Sequence, residues 1–337
     1  MCKLPEGYQD RPANMDDLEA AVVLFNACSR DELGVDTATV EDNRLEWLTP
    51  GFDLSRDTRL VIAPHGQLVG YCEVWDQGDP HVSTQVWGRV HPDFTRQGIG
   101  SYLLTWAETR SRECLLQAPA QARCVMLGFT MTRNRDAGNL FLENGFQFIR
   151  HSLRMRIEME SPPPQPVWPS GVTVHTLVVD RDERSTYQAV RESFKDHWGH
   201  VERPFDEGFA RWQHFWKNRE DFDPTLMFLA VAGDQVAGIS LCEPKVDDDP
   251  EMGWVGTLGV LRPWRRQGLG TALLLHSFGE FYRRGISKAG LGVDAESLTG
   301  ATRLYTNAGM HSEPSKQWSL YEKELRPGVE LRTLSAE

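Results

Sequence analysis

Hydrophobic positions along the chain follow two periods, that of a helix and that of a strand, and their order outlines its organisation. Behind Asn14, a residue suited to cap a helix, Leu, Val and Ala recur at helical spacing from Asp16 to Ala27. A more polar helical pattern covers Val40 to Trp47. Two β patterns, Arg59 to Ala63 and Gln67 to Trp75, flank the turn signal Pro64-His65-Gly66. Thr84 to Val90 is a further strand, and Ser101 to Arg112 a helix carrying Leu103, Leu104, Trp106 and Ala107. Arg123 to Thr130 reads as a strand and Asp136 to Asn144 as a short helix. Gly145-Phe146 then opens the final strands of this half, which run to Met159.

Ser161-Pro162-Pro163-Pro164-Gln165-Pro166 reads as a stiff extended linker, and beyond it the order repeats. Thr173 to Leu177 is a strand, and Arg184 to Phe194 and Phe205 to Trp216 are helical. Met227 to Ala232 and Gln235 to Cys242 pair across Gly233-Asp234. An apolar run ending at Val260, a Gly-rich turn and a helical pattern from Ala272 to Arg284 follow. The half closes with a strand at Ala289 to Val293, a helix at Thr299 to Asn307 and a strand near Trp318 to Leu325. Gly98 and Gly268 lie 170 residues apart, Gly70 and Gly238 168, Gly145 and Gly309 164. Offsets this constant identify a tandem duplication of one αβ unit. The expected domains are residues 1–160 and 170–337, joined by a linker at 161–169.

Composition narrows the function classes. The 337 residues are 40% hydrophobic and 25% charged, ample for two soluble cores. A net charge of −12 argues against binding nucleic acid or anionic membranes through overall charge. The six cysteines (Cys2, Cys28, Cys72, Cys114, Cys124 and Cys242) lack metal-type spacing and read as buried hydrophobes in a reducing compartment. No apolar run reaches the ~18 residues of a membrane helix, and the N-terminus does not read as a signal peptide. The expectation is a cytoplasmic protein, a monomer or homodimer.

The stretch Arg265-Arg266-Gln267-Gly268-Leu269-Gly270-Thr271 joins a strand to a helix. Its glycines let backbone N–H groups close on an anion, the helix N-terminus adds its dipole, and Arg265 and Arg266 supply charge. A pyrophosphate is the natural guest. Thr95-Arg96-Gln97-Gly98-Ile99-Gly100 repeats the turn in the first half.

Together with Thr257-Leu258-Gly259-Val260, Leu291 to Asp294 and Leu304-Tyr305-Thr306-Asn307-Ala308-Gly309-Met310, this turn resembles the GNAT superfamily of acetyl-CoA-dependent N-acetyltransferases. The first half resembles it through Trp87 to Val90, Thr95 to Gly100 and Leu140 to Phe146. Two such units in one chain are similar to the mycothiol synthase group. The resemblance implies an α+β fold of two domains, each a central mixed, mostly antiparallel sheet flanked by helices. It implies acetyl-CoA as co-substrate, no metal, and a small-molecule amine as acceptor. Arg265 to Thr271 would hold the pyrophosphate, the backbone of Leu258, Gly259 and Val260 the pantetheine arm, and Ser297 a further contact. Val90, Arg96, Gln97, Gly98, Ile99, Gly100 and Asn134 are the first half's counterparts.

Tyr305 is the expected group at the leaving sulfur, with a packed aromatic as the bland alternative. An alkyl ammonium has a pKa near ~10.4, so a base is needed; Glu251, Glu243 and a water-mediated route stay open. Phe141 stands at the counterpart of Tyr305 and Thr95 at that of Arg265, so the second half is expected to be catalytic and the first degenerate. Rival readings are a mycothiol-synthase-type reaction on a cysteinyl pseudodisaccharide and an acyl-CoA-binding sensor without turnover. The segment Phe194, Asp196, His197, Trp198 is expected to shape the acceptor pocket, and Asp247-Asp248-Asp249 to form a solvated hairpin tip.

Overall fold

The computed structural model describes residues 3–297 and 300–334, so Cys2 lies outside the described residues. In chain order the elements are β1 (Gln9–Arg11), α1 (Leu18–Leu33), α2 (Val40–Trp47), α3 (Leu54–Asp57), β2 (Thr58–Ile62), β3 (Leu68–Asp76), β4 (Ser83–Val90), α4 (Ile99–Cys114), β5 (Cys124–Met131), α5 (Arg135–Glu143) and β6 (Gln147–Glu158). The second series is β7 (Val172–Thr176), α6 (Glu183–Phe194), α7 (Phe205–Lys217), β8 (Met227–Ala232), β9 (Gln235–Glu243), β10 (Met252–Val260), α8 (Leu269–Arg283), β11 (Lys288–Asp294), α9 (Ala301–Asn307), β12 (His311–Ser312) and β13 (Trp318–Arg326). Local chemistry sets many of these bounds. Asn14 and Asp17 form a reciprocal capping box ahead of α1, and Gly34 ends that helix in the left-handed region at φ 83°.

Two compact units result, but they do not divide the chain at the Pro-rich stretch. Unit 1 is Met1–Arg150 with Trp318–Leu331, and unit 2 is His151–Gln317 with Arg332–Glu337. The sheet of unit 1 runs β1-β2-β3-β4-β5-β13, with β4–β5 parallel and the remaining pairs antiparallel. The sheet of unit 2 runs β7-β8-β9-β10-β11-β6, with β10–β11 its parallel pair and β12 pairing β6. Each half therefore gives its last strand to the other half's sheet. The boundary expected at 161–169 is corrected accordingly: those residues lie within unit 2, where Trp168 packs against the core. Hydrophobic alternation tells which face of a strand is buried but not which strand it pairs with, so the exchange has no local signature.

In unit 2, α8 and α9 cover one face of the sheet through Leu269, Leu273, Phe278, Phe281 and Tyr305. Leu177, Ala189, Met227, Leu229, Ile239 and Leu241 bury the other face, with Trp212 and Trp216 of α7 packed on them. In unit 1, α1 and α2 close over Leu60 and Tyr71. Cys28, Cys72, Cys114, Cys124 and Cys242 are buried free thiols.

Candidate active site

A parallel strand pair that stops pairing partway creates the site in unit 2. β10 pairs with β11 only at Met252, Gly253 and Trp254; beyond them β10 follows β9 and β11 follows β6. The register of β10 slips between Val255 and Thr257, which makes Gly256 a bulge at the start of the splay. The Leu261 N–H donates to the Ala237 carbonyl at 3.0 Å. Alternation then turns Gly259 toward β9 and the backbone groups of Leu258 and Val260 toward the open gap. An extended chain has room to add itself there.

At the end of β10 the chain turns through Arg262–Trp264 and enters α8 with Arg266 at φ 61° and Gly268 at φ 84°. The next backbone bond is the Ala272 N–H to the Gly268 carbonyl at 3.0 Å, so the first amides of α8 have no intrahelical acceptor. The N-terminus of a 15-residue helix with such amides favours an anion. Gln267 steadies the turn by donating to the Pro263 carbonyl at 2.9 Å. Leu269 is buried beneath it, and Thr271 is exposed on the first helical turn. Gly270 allows close approach to α9, since a Cβ there would lie 2.9 Å from Leu304 Cδ1. The Arg266 side chain is exposed, with no ion-pair partner among the described residues. Arg265 differs from expectation. Its guanidinium turns inward, Nε donating to the Val260 carbonyl at 3.0 Å, Nη2 to the Ser193 carbonyl at 3.1 Å, and Nη1 to Asp196. The two adjacent arginines thus divide between structure and solvent.

Tyr305 is 8% exposed and belongs to the apolar cluster that holds Val293 of β11, with Leu258 and Val260 of β10 packed against it. Its hydroxyl has no hydrogen-bond partner among the described residues, and burial alone pushes its pKa up to about 12. Glu251 is misplaced for a base. It precedes the paired end of β10, its side chain is 79% exposed, and Lys288 bonds it at 2.9 Å. Seven residues of strand put it roughly 20 Å from Leu258. Glu243 is the carboxylate beside the splay: its Oε1 lies 2.7 Å from where a Cβ on Gly256 would be. Burial raises its pKa above the ordinary glutamate range, opposed by Arg219, which meets Oε2 at 2.8 Å. Ser297 sits in the turn after β11, its N–H on the Asp294 carbonyl at 3.1 Å.

On the α6–α7 side of this sheet, Trp254 lies over Gly290, whose Cβ would meet the ring at 2.9 Å, and Arg154 stacks over the same indole at 5.3 Å. His197 is half-buried against Phe194, and burial followed by the Arg265 charge lowers its pKa below the ordinary imidazole value. Asp248 corrects another expectation. It is not a solvated tip; its carboxylate, 8% exposed, accepts from Arg154 at 2.7 Å and Lys316. Two aspects had escaped the sequence. The Gly256 bulge had a signal, a glycine inside a strand pattern; the Asp196 contact had none.

Unit 1 repeats the frame with different fittings. β4 pairs with β5 from Ser83 to Val86 and then parts from it, without a register slip against β3. The gap opens into a cleft of about 780 Å³, lined by Val90, Arg96, Gly98, Gly100, Asn134 and Phe141. Arg96 (φ 60°) and Gly98 (φ 83°) reproduce the turn, Ile99 is buried, and Gly100 allows Leu140 to approach to 2.9 Å of a Cβ position. Arg96, however, is paired with Asp136 at 3.0 Å, and Gln97 accepts from the Tyr8 hydroxyl at 2.8 Å. The Val90 carbonyl accepts from the Cys28 thiol at 3.3 Å. Asn134 caps α5 and donates to Glu32 at 2.5 Å. Phe141 stacks on Tyr321 at 5.1 Å and fills the space over Gly128, where a Cβ would meet the ring at 2.4 Å.

Two family models match the chain, the acetyltransferase (GNAT) family over residues 174–310 and the acetyltransferase (GNAT) domain over 56–148. A mycothiol acetyltransferase of Thermobispora bispora is 31% identical over 74% of this chain and 79% of that protein. One from Parafrankia sp. is 27% identical over 89% of this chain and 93% of its own length. Among solved structures, a GCN5-related N-acetyltransferase from Sphaerobacter thermophilus superposes with a TM-score of 0.77 at 36% identity, covering 98% of this chain and 99% of that one. A tandem GNAT protein from the clavulanic acid biosynthesis pathway shares the fold at 15% identity, with a TM-score of 0.71 over 96% of this chain and 100% of that one. The chain belongs to the GNAT acetyltransferases, in the tandem form with two such domains in one polypeptide.

Proposed function

We propose that unit 2 transfers the acetyl group of acetyl-CoA to a primary amine of a small-molecule acceptor by direct attack of the amine. The observation that carries this reading is Tyr305, a buried side chain whose hydroxyl has no partner among the described residues, in the cluster that Leu258 and Val260 pack against and at the position where unit 1 has the stacked Phe141. Acetyl-CoA supplies an activated thioester. Arg266 and the first amides of α8 would hold its diphosphate. Leu258 would offer both backbone groups to the pantetheine arm; Val260 would offer only its N–H, because Arg265 already occupies its carbonyl. One of these N–H groups is suited to face the thioester oxygen, where negative charge grows. Glu243, with its raised pKa beside Gly256, replaces Glu251 as the group that takes the ammonium proton. Tyr305 donates a hydrogen bond to the departing sulfur.

A narrower second reading rests on the 31% identity to a mycothiol acetyltransferase: the acceptor would be the amine of a cysteinyl pseudodisaccharide. The test is thiol release from acetyl-CoA with an amine panel that includes such a compound, beside calorimetry of acetyl-CoA on the wild type and Arg266→Glu/Gly268→Asp. Release with simple amines supports the general reading, and release only with the pseudodisaccharide the narrower one. Binding without release on any amine would favour the sensor, and absence of binding would overturn both enzymatic readings.

A further inference from the structure

The inward turn of Arg265 centres on a carboxylate that the proposed reaction does not use. Asp196 follows α6 by two residues, and its side chain is 9% exposed. It accepts from Nε of Arg262 at 3.2 Å, from a terminal nitrogen of that arginine, and from Nη1 of Arg265. Two guanidinium partners hold it well below the usual carboxylate range, so it stays ionised. Through Arg265 it reaches the carbonyls of Val260 and Ser193. The last residue of β10, the anion turn and the end of α6 are thus tied at one point.

The other side of the same loop is fastened as well. The Gly199 N–H donates to the Thr333 carbonyl at 2.7 Å, and the Thr333 N–H donates to the His200 carbonyl at 2.8 Å. The Thr333 hydroxyl donates to the Lys195 carbonyl at 3.2 Å, and Arg332 lies over Trp198 at 5.6 Å. Residues 195–200, which carry His197, are therefore held between the anion turn and the C-terminal segment.

Unit 1 shows what the clamp is not for. At the offset of 170, Pro92 stands at the place of Arg262 and Thr95 at that of Arg265, so neither guanidinium exists there. The turn nevertheless has the same shape: φ is 60° at Arg96 and 61° at Arg266, 83° at Gly98 and 84° at Gly268. What Asp196 adds is a link from that turn to the loop beyond α6.

We propose that Asp196 is a positioning residue that couples the acetyl-CoA turn to the acceptor-side loop, so that occupancy of the turn orders residues 193–200. The proposal rests on unit 2 being the acetyl-CoA-binding unit. Its test is amide hydrogen exchange of the full chain with and without coenzyme A, for the wild type, Asp196→Asn and Arg265→Lys. In the wild type, coenzyme A should slow exchange at residues 266–272 and also, by about fivefold, at 193–200. Asp196→Asn should keep the first effect and reduce the second to under about twofold. Arg265→Lys retains a charge for Asp196 but lacks a guanidinium able to span the Val260 and Ser193 carbonyls together. It should uncouple the loop in the same way, and it stands in for Asp196→Asn where burial of an unpaired arginine prevents folding. Protection at 266–272 without protection at 193–200 in the wild type would overturn the coupling. Full loop protection in either variant would remove Asp196 from its assigned role. No protection at 266–272 in the wild type would overturn the reading of unit 2 itself, which the other two outcomes leave standing.

Discussion

Tyr305→Phe is the sharpest perturbation of the proposed chemistry, because it deletes one oxygen and changes no packing. Burial holds the phenol at about 12, whereas an alkyl thiol ionises near ~8.5. Complete proton transfer to the leaving sulfur would therefore be uphill by roughly 5 kcal/mol at about 1.36 kcal/mol per unit. On the proposed mechanism Tyr305 therefore donates a hydrogen bond to the thiolate and retains its proton. A hydrogen bond to a charged group contributes about 1.5–3 kcal/mol, so its loss should lower kcat by about 10- to 150-fold. The hydroxyl has no partner among the described residues, so the substitution leaves none of them orphaned. Acetyl-CoA affinity should stay within about twofold and the melting temperature within a few degrees. Thiol release at saturating acetyl-CoA gives kcat, calorimetry gives affinity, and a thermal melt gives stability. The phenol stays protonated until pH rises toward 12, so neither enzyme should show an alkaline limb from this group near neutrality. A variant whose kcat is within about threefold of wild type refutes the assignment.

Glu243→Gln should lower kcat by about 10²- to 10⁴-fold, whereas Glu251→Gln should leave it unchanged. Because burial raises the Glu243 pKa, the wild-type rate should fall as pH drops through that raised value, and the glutamine variant should lose this acid limb. Gly270→Ala places a Cβ 2.9 Å from Leu304 Cδ1 and should cost about 1–3 kcal/mol, read as a lower melting temperature. Truncation after Gln317 removes β13, the Phe141–Tyr321 stack, and the Glu322 and Glu324 partners of Arg123. Unit 1 should then lose its cooperative melt, and residues 1–160 alone should fail to fold; a stable 1–160 fragment with native exchange protection contradicts the strand exchange.

Most elements were legible in the sequence because their signals are local. The helix behind Asn14, the hairpin at Gly233-Asp234 and the two glycine turns depend on capping, turn chemistry and periodicity within about a dozen residues. Most of the misreadings concern partners far along the chain. The strand before the Pro-rich stretch has the alternation of a strand in either sheet, and only its pairing with β11 assigns it to unit 2. Arg265 and Arg266 look alike in the motif; a carboxylate 69 residues earlier draws one of them inward. Asp248 looks like its exposed neighbour Asp247 until Arg154 and Lys316 close on it from two other segments. Glu251 is near Leu258 in sequence, but an extended strand turns seven residues into a separation no side chain spans.

The comparison between copies supports the division of labour better than either unit alone. A cleft and a turn of matching φ persist in unit 1, so loss of the fold does not explain the difference. Besides the missing counterparts of Arg262 and Arg265, the copies differ at three separate places. The bulge at Gly256, which sets the strand beside Glu243, has no counterpart in β4. The arginine of the turn is neutralised by Asp136 in unit 1, whereas in unit 2 Gly300 stands at the equivalent offset of 164 and Arg266 remains available to an anion. The phenol becomes Phe141, whose ring packs over Gly128 and stacks on Tyr321 and carries no hydroxyl. A single change would fit drift in a structural copy. Three changes, one each in strand geometry, anion charge and hydrogen-bond donor, each touch a feature the proposed acetyl transfer uses and spare the scaffold. That pattern is expected where one unit keeps the reaction and the other keeps only the shape.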